Sequence, residues 1–170
     1  GDGFADIFVT EPWYYASDKG GRVFVYYGSP AGPAASAAWV STGVSSSLFG
    51  YSAASAGDVN GDGYDDLIVG SPDYRTNFSL PDTIIGCAYV YHGSAAGLSA
   101  TFNWKREGYQ HSSKFGNSVG TAGDPNGDGY DDVLVGAYYY DNPENMEGGA
   151  WLYNGSATGL DSNFSWNREG

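Results

Sequence analysis

Cysteine, methionine and histidine are almost missing from this chain of 170 residues: one Cys, one Met and two His. A lone cysteine, Cys87, excludes an internal disulfide, so cysteine pairing says nothing of the redox compartment. Basic residues are scarce as well, 7 Lys and Arg against 20 Asp and Glu, for a net charge of −13. A surface of that sign repels phosphate backbones, and no nucleic-acid partner is expected. No apolar run approaches the ~20 residues that span a bilayer, and no heptad or amphipathic helical period occurs. The chain opens Gly1-Asp-Gly3 without an initiator Met or a signal peptide, and so reads as a processed or excised piece.

What is present points to strands and tight turns: 15 Tyr, 5 Trp and 27 Gly. Three segments repeat. Val23–Ser29 (VFVYYGS) aligns with Ala88–Ser94 (AYVYHGS) and Ala150–Ser156 (AWLYNGS). Trp39–Gly43 aligns with Trp104–Gly108 and Trp166–Gly170, and Phe49-Gly50 with Phe115-Gly116. The run from Gly57 to Gly70 recurs almost letter for letter from Gly123 to Gly136, and Gly1–Val9 is its second half. The period is about 60 to 66 residues, long enough for four short strands per repeat. Strands are expected near 52–57, 66–70, 87–92 and 101–106, the third with the alternation of a half-buried strand. Four antiparallel strands per repeat make a β-propeller blade, and one blade cannot bury both faces without neighbours. The fold class is therefore all-β, with a partial blade at 1–43 and blades at 44–108 and 109–170. About three blades are fewer than close a ring, so either the chain is a window of a longer protein or further copies complete a ring or stack.

Half of the acidic residues fall in three windows: Asp2 and Asp6; Asp58, Asp62, Asp65 and Asp66; Asp124, Asp128, Asp131 and Asp132. Crowded carboxylates repel one another unless a cation lies between them. From Asp58 to Asp66, oxygen ligands recur at every second position: Asp58, Asn60, Asp62, the Tyr64 carbonyl and Asp66. The second loop repeats the set with Asp124, Asn126, Asp128, Tyr130 and Asp132. A flexible all-oxygen set suits Ca²⁺ better than the tight octahedron of Mg²⁺, and the lack of His and Cys argues against zinc. An EF-hand fails, because its twelfth-position Glu is replaced by Val69 and Val135 and a strand rather than a helix follows. Two complete calcium sites are expected and a third partial one, which keeps only Asp2, the Phe4 carbonyl and Asp6.

Phe49-Gly50, the Asp-x-Asn-x-Asp-Gly-x-x-Asp loop and Gly70-Ser-Pro72 together resemble the FG-GAP repeat of integrin alpha-subunit propellers and their bacterial relatives. The resemblance covers the whole chain, in two nearly complete copies and a truncated third. It implies a seven-bladed propeller with calcium in the hairpin between the first and second strands of a blade. It also implies that the connections between second and third strands lie on the opposite face, where ligands bind. Thr10-Glu-Pro12 and Gly136-Ala-Tyr138 are imperfect forms of the second motif.

Those connections are rich in aromatics: Glu11–Tyr15, Ser71–Gly86 with Tyr74 and Phe78, and Tyr138–Asn142. They suit a protein or glycan ligand, although such rings also fill gaps between blades. Trp39, Trp104 and Trp166 recur in register and are expected between blades. No nucleophile stands with a base, and the conspicuous carboxylates belong to the loops, so the chain is not expected to be an enzyme. His92 is read as a strand-end surface residue, His111 as a loop residue and Cys87 as incidental. Asn77, Asn154 and Asn163 match the glycosylation acceptor pattern of a secreted glycoprotein. The functional expectation is an extracellular or cell-surface adhesion or recognition module that binds calcium. The alternatives are a structural subunit of an extracellular assembly, in contact with copies of itself, and a non-catalytic companion domain of a secreted enzyme.

Overall fold

The computed structural model describes residues 3–14, 20–77, 83–142 and 146–170. Asp2, Tyr15 and Phe78 lie outside the described residues. Among the described residues every element is a strand, and no helix is long and apolar enough to cross a membrane.

Three antiparallel sheets follow one another along the chain. The first holds β1 (Ile7–Glu11), β2 (Arg22–Tyr26) and β3 (Trp39–Thr42). The second holds β4 (Ser52–Gly57), β5 (Asp66–Ser71), β6 (Cys87–Tyr91) and β7 (Trp104–Glu107). The third holds β8 (Ser118–Gly123), β9 (Asp132–Ala137), β10 (Gly149–Tyr153) and β11 (Trp166–Glu169). Each is a meander in chain order, the arrangement of a propeller blade. The fourth strand of the middle sheet starts at Trp104 rather than near 101. Asn103 closes the preceding turn instead, its N–H on the Val90 carbonyl at 2.8 Å and its side-chain oxygen on the His92 N–H at 2.9 Å.

Two cores lie between the sheets. Val23, Val25, Trp39 and Phe49 pack against Leu67, Val69, Tyr89 and Tyr91. Ile68, Val90 and Trp104 pack against Phe115, Val133, Val135, Trp151 and Tyr153. The middle sheet is thus covered on both faces, and every residue of β5 and β6 is buried. That corrects the expectation of a half-buried third strand: alternate residues of β6 enter different cores, so its alternation does not mark a wet face. In β1, by contrast, Ile7 and Val9 are exposed, because no described sheet covers the face they share, and Phe8, paired with Val25 on the other face, is exposed as well.

The repeated Phe-Gly and Trp segments are the joints between sheets. Phe115 is buried against Gly86 and Gly108, where an added Cβ would stand 2.1 Å from the Phe115 and Ile85 carbonyl oxygens respectively. Phe49 fits Gly21 and Gly43 in the same way. Gly43 and Gly108, which end the first two Trp segments, therefore make room for the phenylalanine of the next repeat. The indole N–H of Trp39 donates to the Ser99 carbonyl at 2.9 Å, and that of Trp104 to the Asp161 carbonyl at 2.9 Å, each in the following sheet. Trp166 departs from its expected role. It is 48% exposed, since among the described residues no sheet follows β11.

Candidate functional site

The acidic loops join the first and second strands of the middle and last sheets. Each is entered through a bulge at a positive-φ glycine, Gly57 or Gly123, whose N–H donates to the hydroxyl two residues earlier, Ser55 or Thr121. The first carboxylate then organises the loop from within. Asp58 accepts the N–H groups of Asp62 (3.0 Å) and Gly63 (2.7 Å), and Asp124 those of Asp128 (3.1 Å) and Gly129 (2.9 Å). Asn60 and Asn126 hold Asp62 and Asp128 through their side-chain amides at 3.0 and 2.9 Å. The two loops share these hydrogen bonds, and in the last one the Gly127 N–H also donates to Asp124 at 2.7 Å.

The final carboxylate of each loop is fixed by a residue far away in sequence. Asp6, Asp66 and Asp132 accept the N–H of Gly28, Gly93 and Gly155 at 2.8, 2.7 and 2.8 Å. That threefold recurrence gives the Gly-Ser segment after β2, β6 and β10 its purpose: the glycine amide anchors the last acidic residue of its own loop. Sequence spacing alone did not reveal this contact, although the recurrence of Gly28, Gly93 and Gly155 in register was its signal.

The loops differ at the second oxygen of that final carboxylate. In the middle sheet the second oxygen of Asp66 accepts the Val59 N–H at 3.0 Å. The equivalent of Val59 is Pro125, which has no N–H. Asp132 Oδ2 is accordingly buried without a hydrogen-bond partner, in a side chain with no exposed surface. Burial pushes the Asp66 carboxyl up to about 7, with Asp62 and Asp58 adding to the rise and the Gly93 and Val59 amides opposing it. Burial raises Asp132 too, helped by Asp128, Asp124 and Asp131 and opposed by Gly155. Among the described residues no group of three or more Asp, Glu, His or Cys side chains converges to hold a metal. The all-oxygen donor set and the orphaned oxygen of Asp132 nevertheless fit a hard cation, since a buried anionic oxygen without a donor is costly. In the first sheet, Asp6 and Phe4 lie in an exposed turn, and Asp2 is not described.

His92 is not the surface residue expected from sequence. It is half-buried beside the middle loop, with Nδ1 3.2 Å from the Asn60 amide, Nε2 buried without a partner, and the ring against Gly159 of the last sheet. Burial lowers its pKa against the pull of Asp62 and Asp58. His111 is exposed in its loop. Cys87 lies in the core, where burial raises its thiol to about 12.

At the opposite ends of the second strands stand the aromatic connections, and they divide into two kinds. Tyr14 lies under the Arg22 guanidinium at 3.3 Å, and Arg22 also pairs with Glu11 at 2.7 Å. Tyr74 accepts from Lys105 at 2.8 Å, and Tyr140 packs edge-on against Trp151 at 5.0 Å. These rings fill gaps. Trp13, Tyr138 and Tyr139 remain exposed, the two tyrosine rings 4.0 Å apart. Of the glycosylation-pattern residues, Asn163 is exposed, whereas the Asn154 side chain accepts from Ser165.

Successive four-stranded meanders, stacked face to face and joined by recurring Phe-Gly and Trp contacts, define a propeller-type repeat protein. The FG-GAP repeat family matches residues 49–80 and 115–153. Integrin alpha-PS2 of Drosophila melanogaster is 41% identical over 118 residues, 65% of this chain and 8% of the relative. Integrin alpha-4 of Xenopus laevis is 32% identical over 147 residues, 84% of this chain and 14% of the relative. Human integrin alpha-7 is 33% identical over 139 residues, 80% of this chain and 11% of the relative. The chain belongs to the FG-GAP repeat, integrin-alpha-like family and spans only a small part of the length of these relatives.

Proposed function

We propose that the chain is a calcium-pinned part of an extracellular or cell-surface propeller that binds a protein or glycan ligand through its exposed aromatic rim. Asp58, Asn60, Asp62, the Tyr64 carbonyl and Asp66 would hold one ion, and Asp124, Asn126, Asp128, the Tyr130 carbonyl and Asp132 another. Asp2, the Phe4 carbonyl and Asp6 would contribute to a third. The observation that carries the reading is the buried, unpartnered oxygen of Asp132, in a loop that repeats the hydrogen bonds of the first carboxylate in its sister. The ion's role is structural: it neutralises three carboxylates on one hairpin, and its binding energy becomes folding energy. Sites of this kind fill at the millimolar calcium found outside cells.

No catalytic step is assigned, because the side chains of the loops serve the hairpin and neither His92 nor Cys87 stands with a nucleophile or base. The similarity to integrin alpha subunits supports adhesion. Trp13, Tyr138 and Tyr139 offer broad, rigid contact surface at low entropic cost. Replacing all three with serine is expected to abolish capture of matrix proteins and glycans by the chain on an array while leaving its thermal melting unchanged. Capture that survives the triple replacement removes the rim from the proposal.

A further inference from the structure

The two complete loops touch. The Asp58 N–H, at the head of the middle loop, donates to Oδ2 of Asp131 at 2.8 Å, and the Asp131 N–H returns to the Asp58 carbonyl at 3.1 Å. Asp131 belongs to the last loop, between the Tyr130 carbonyl and Asp132, yet its carboxylate serves the middle one. A Cβ added at Gly57 would stand 2.1 Å from Asp131 Oδ2, and one at Gly61 would stand 2.6 Å from Cε1 of Tyr130. The Val59 carbonyl accepts the Ser156 N–H at 3.1 Å, and Val59 itself is fully buried in the core shared with Val133 and Tyr153. The middle loop is thus seated on the last one. The seating is one-sided among the described residues, since Gly123, Gly127 and Gly129 have open space where a Cβ would stand.

We propose that Asp131 is a positioning residue for the cation loop of the neighbouring sheet, so that loading of the two loops is coupled. The inference rests on the calcium reading above. Fixing the backbone at 130–132 aligns Asp131, which fixes the backbone of Asp58, the first ligand of the other loop. Such coupling is reciprocal: each loop, when filled, raises the affinity of the other by the same factor.

The test is calorimetric titration of the 170-residue chain with calcium alone at fixed ionic strength. Asp62→Asn leaves the last loop as the complete site, Asp128→Asn leaves the middle one, and the wild type carries both. The expected result is a wild-type product of dissociation constants smaller than the product of the two single-site values by about fivefold or more. Repeating the set with Asp131→Ala collapses that ratio to one, and Asp131→Asn, which keeps an acceptor oxygen for the Asp58 N–H, restores most of it. Hydrogen exchange guards against a folding failure of the alanine variant: in otherwise wild-type sequence, Asp128→Asn is expected to lower protection of the Asp58 amide. Two ions bound with a ratio of one in the wild type, or a ratio unchanged by Asp131→Ala, overturns the coupling and leaves the calcium reading standing. No calcium bound by the wild type overturns both.

Discussion

Pro125 stands where its sister loop has Val59, and the exchange removes one N–H from an otherwise duplicated site. The missing donor leaves Asp132 Oδ2 buried and unpaired. A hydrogen bond to a charged group is worth about 1.5–3 kcal/mol, while losing a proline releases about 0.4–1 kcal/mol of chain entropy to the unfolded state. Pro125→Val is therefore expected to stabilise the calcium-free chain by about 1 kcal/mol, raising its melting midpoint in chelator by about 2–4 °C. On the proposed calcium reading the gain is expected to shrink in saturating calcium, because the ion would already serve that oxygen. An equal gain with and without calcium contradicts the role given to Asp132. At this scale the recurrence of the acidic loop was legible in the sequence, but the orphaned oxygen was not. Pro125 is visible there, yet only the fold shows that the amide it lacks faces a carboxylate seven residues on.

Strand order and most strand limits were also legible, because period and turn residues recur in every repeat. What failed at the scale of elements failed for one reason: burial depends on the neighbouring sheet, which a single strand does not encode. β6 alternates in sequence but is buried on both faces. His92 ends a strand yet is wedged between a loop of its own sheet and Gly159 of the next. The three tryptophans are equivalent in sequence, but only Trp39 and Trp104 reach a following sheet. Trp104→Phe removes the indole donor of the Asp161 carbonyl and is expected to cost about 1–3 kcal/mol. The same change at exposed Trp166 is expected to stay within about 0.5 kcal/mol. Urea unfolding of both variants checks this, and equal losses at the two positions would contradict the assignment of Trp104 as a joint between sheets.

For the whole molecule, repetition is the organising fact. At each of the two junctions a phenylalanine and a tryptophan join neighbouring sheets, and the last acidic residue of each loop is fixed by the glycine that follows β2, β6 or β10 of its own sheet. Stability in such an arrangement resides in the interfaces as much as in the units. The interface between the middle and last sheets holds both complete acidic hairpins, joined by Asp58 and Asp131, and burial raises the pKa of Asp66 and Asp132. A cation between those carboxylates would convert a local cost into a contribution to the whole fold. Thermal unfolding of the 170-residue chain in millimolar calcium and in excess chelator, alongside a calcium titration by calorimetry, tests that claim most directly. At least two bound ions and a midpoint that falls by many degrees in chelator are the expected result. No binding heat and coincident melting curves would contradict it, reducing the loops to solvated turns.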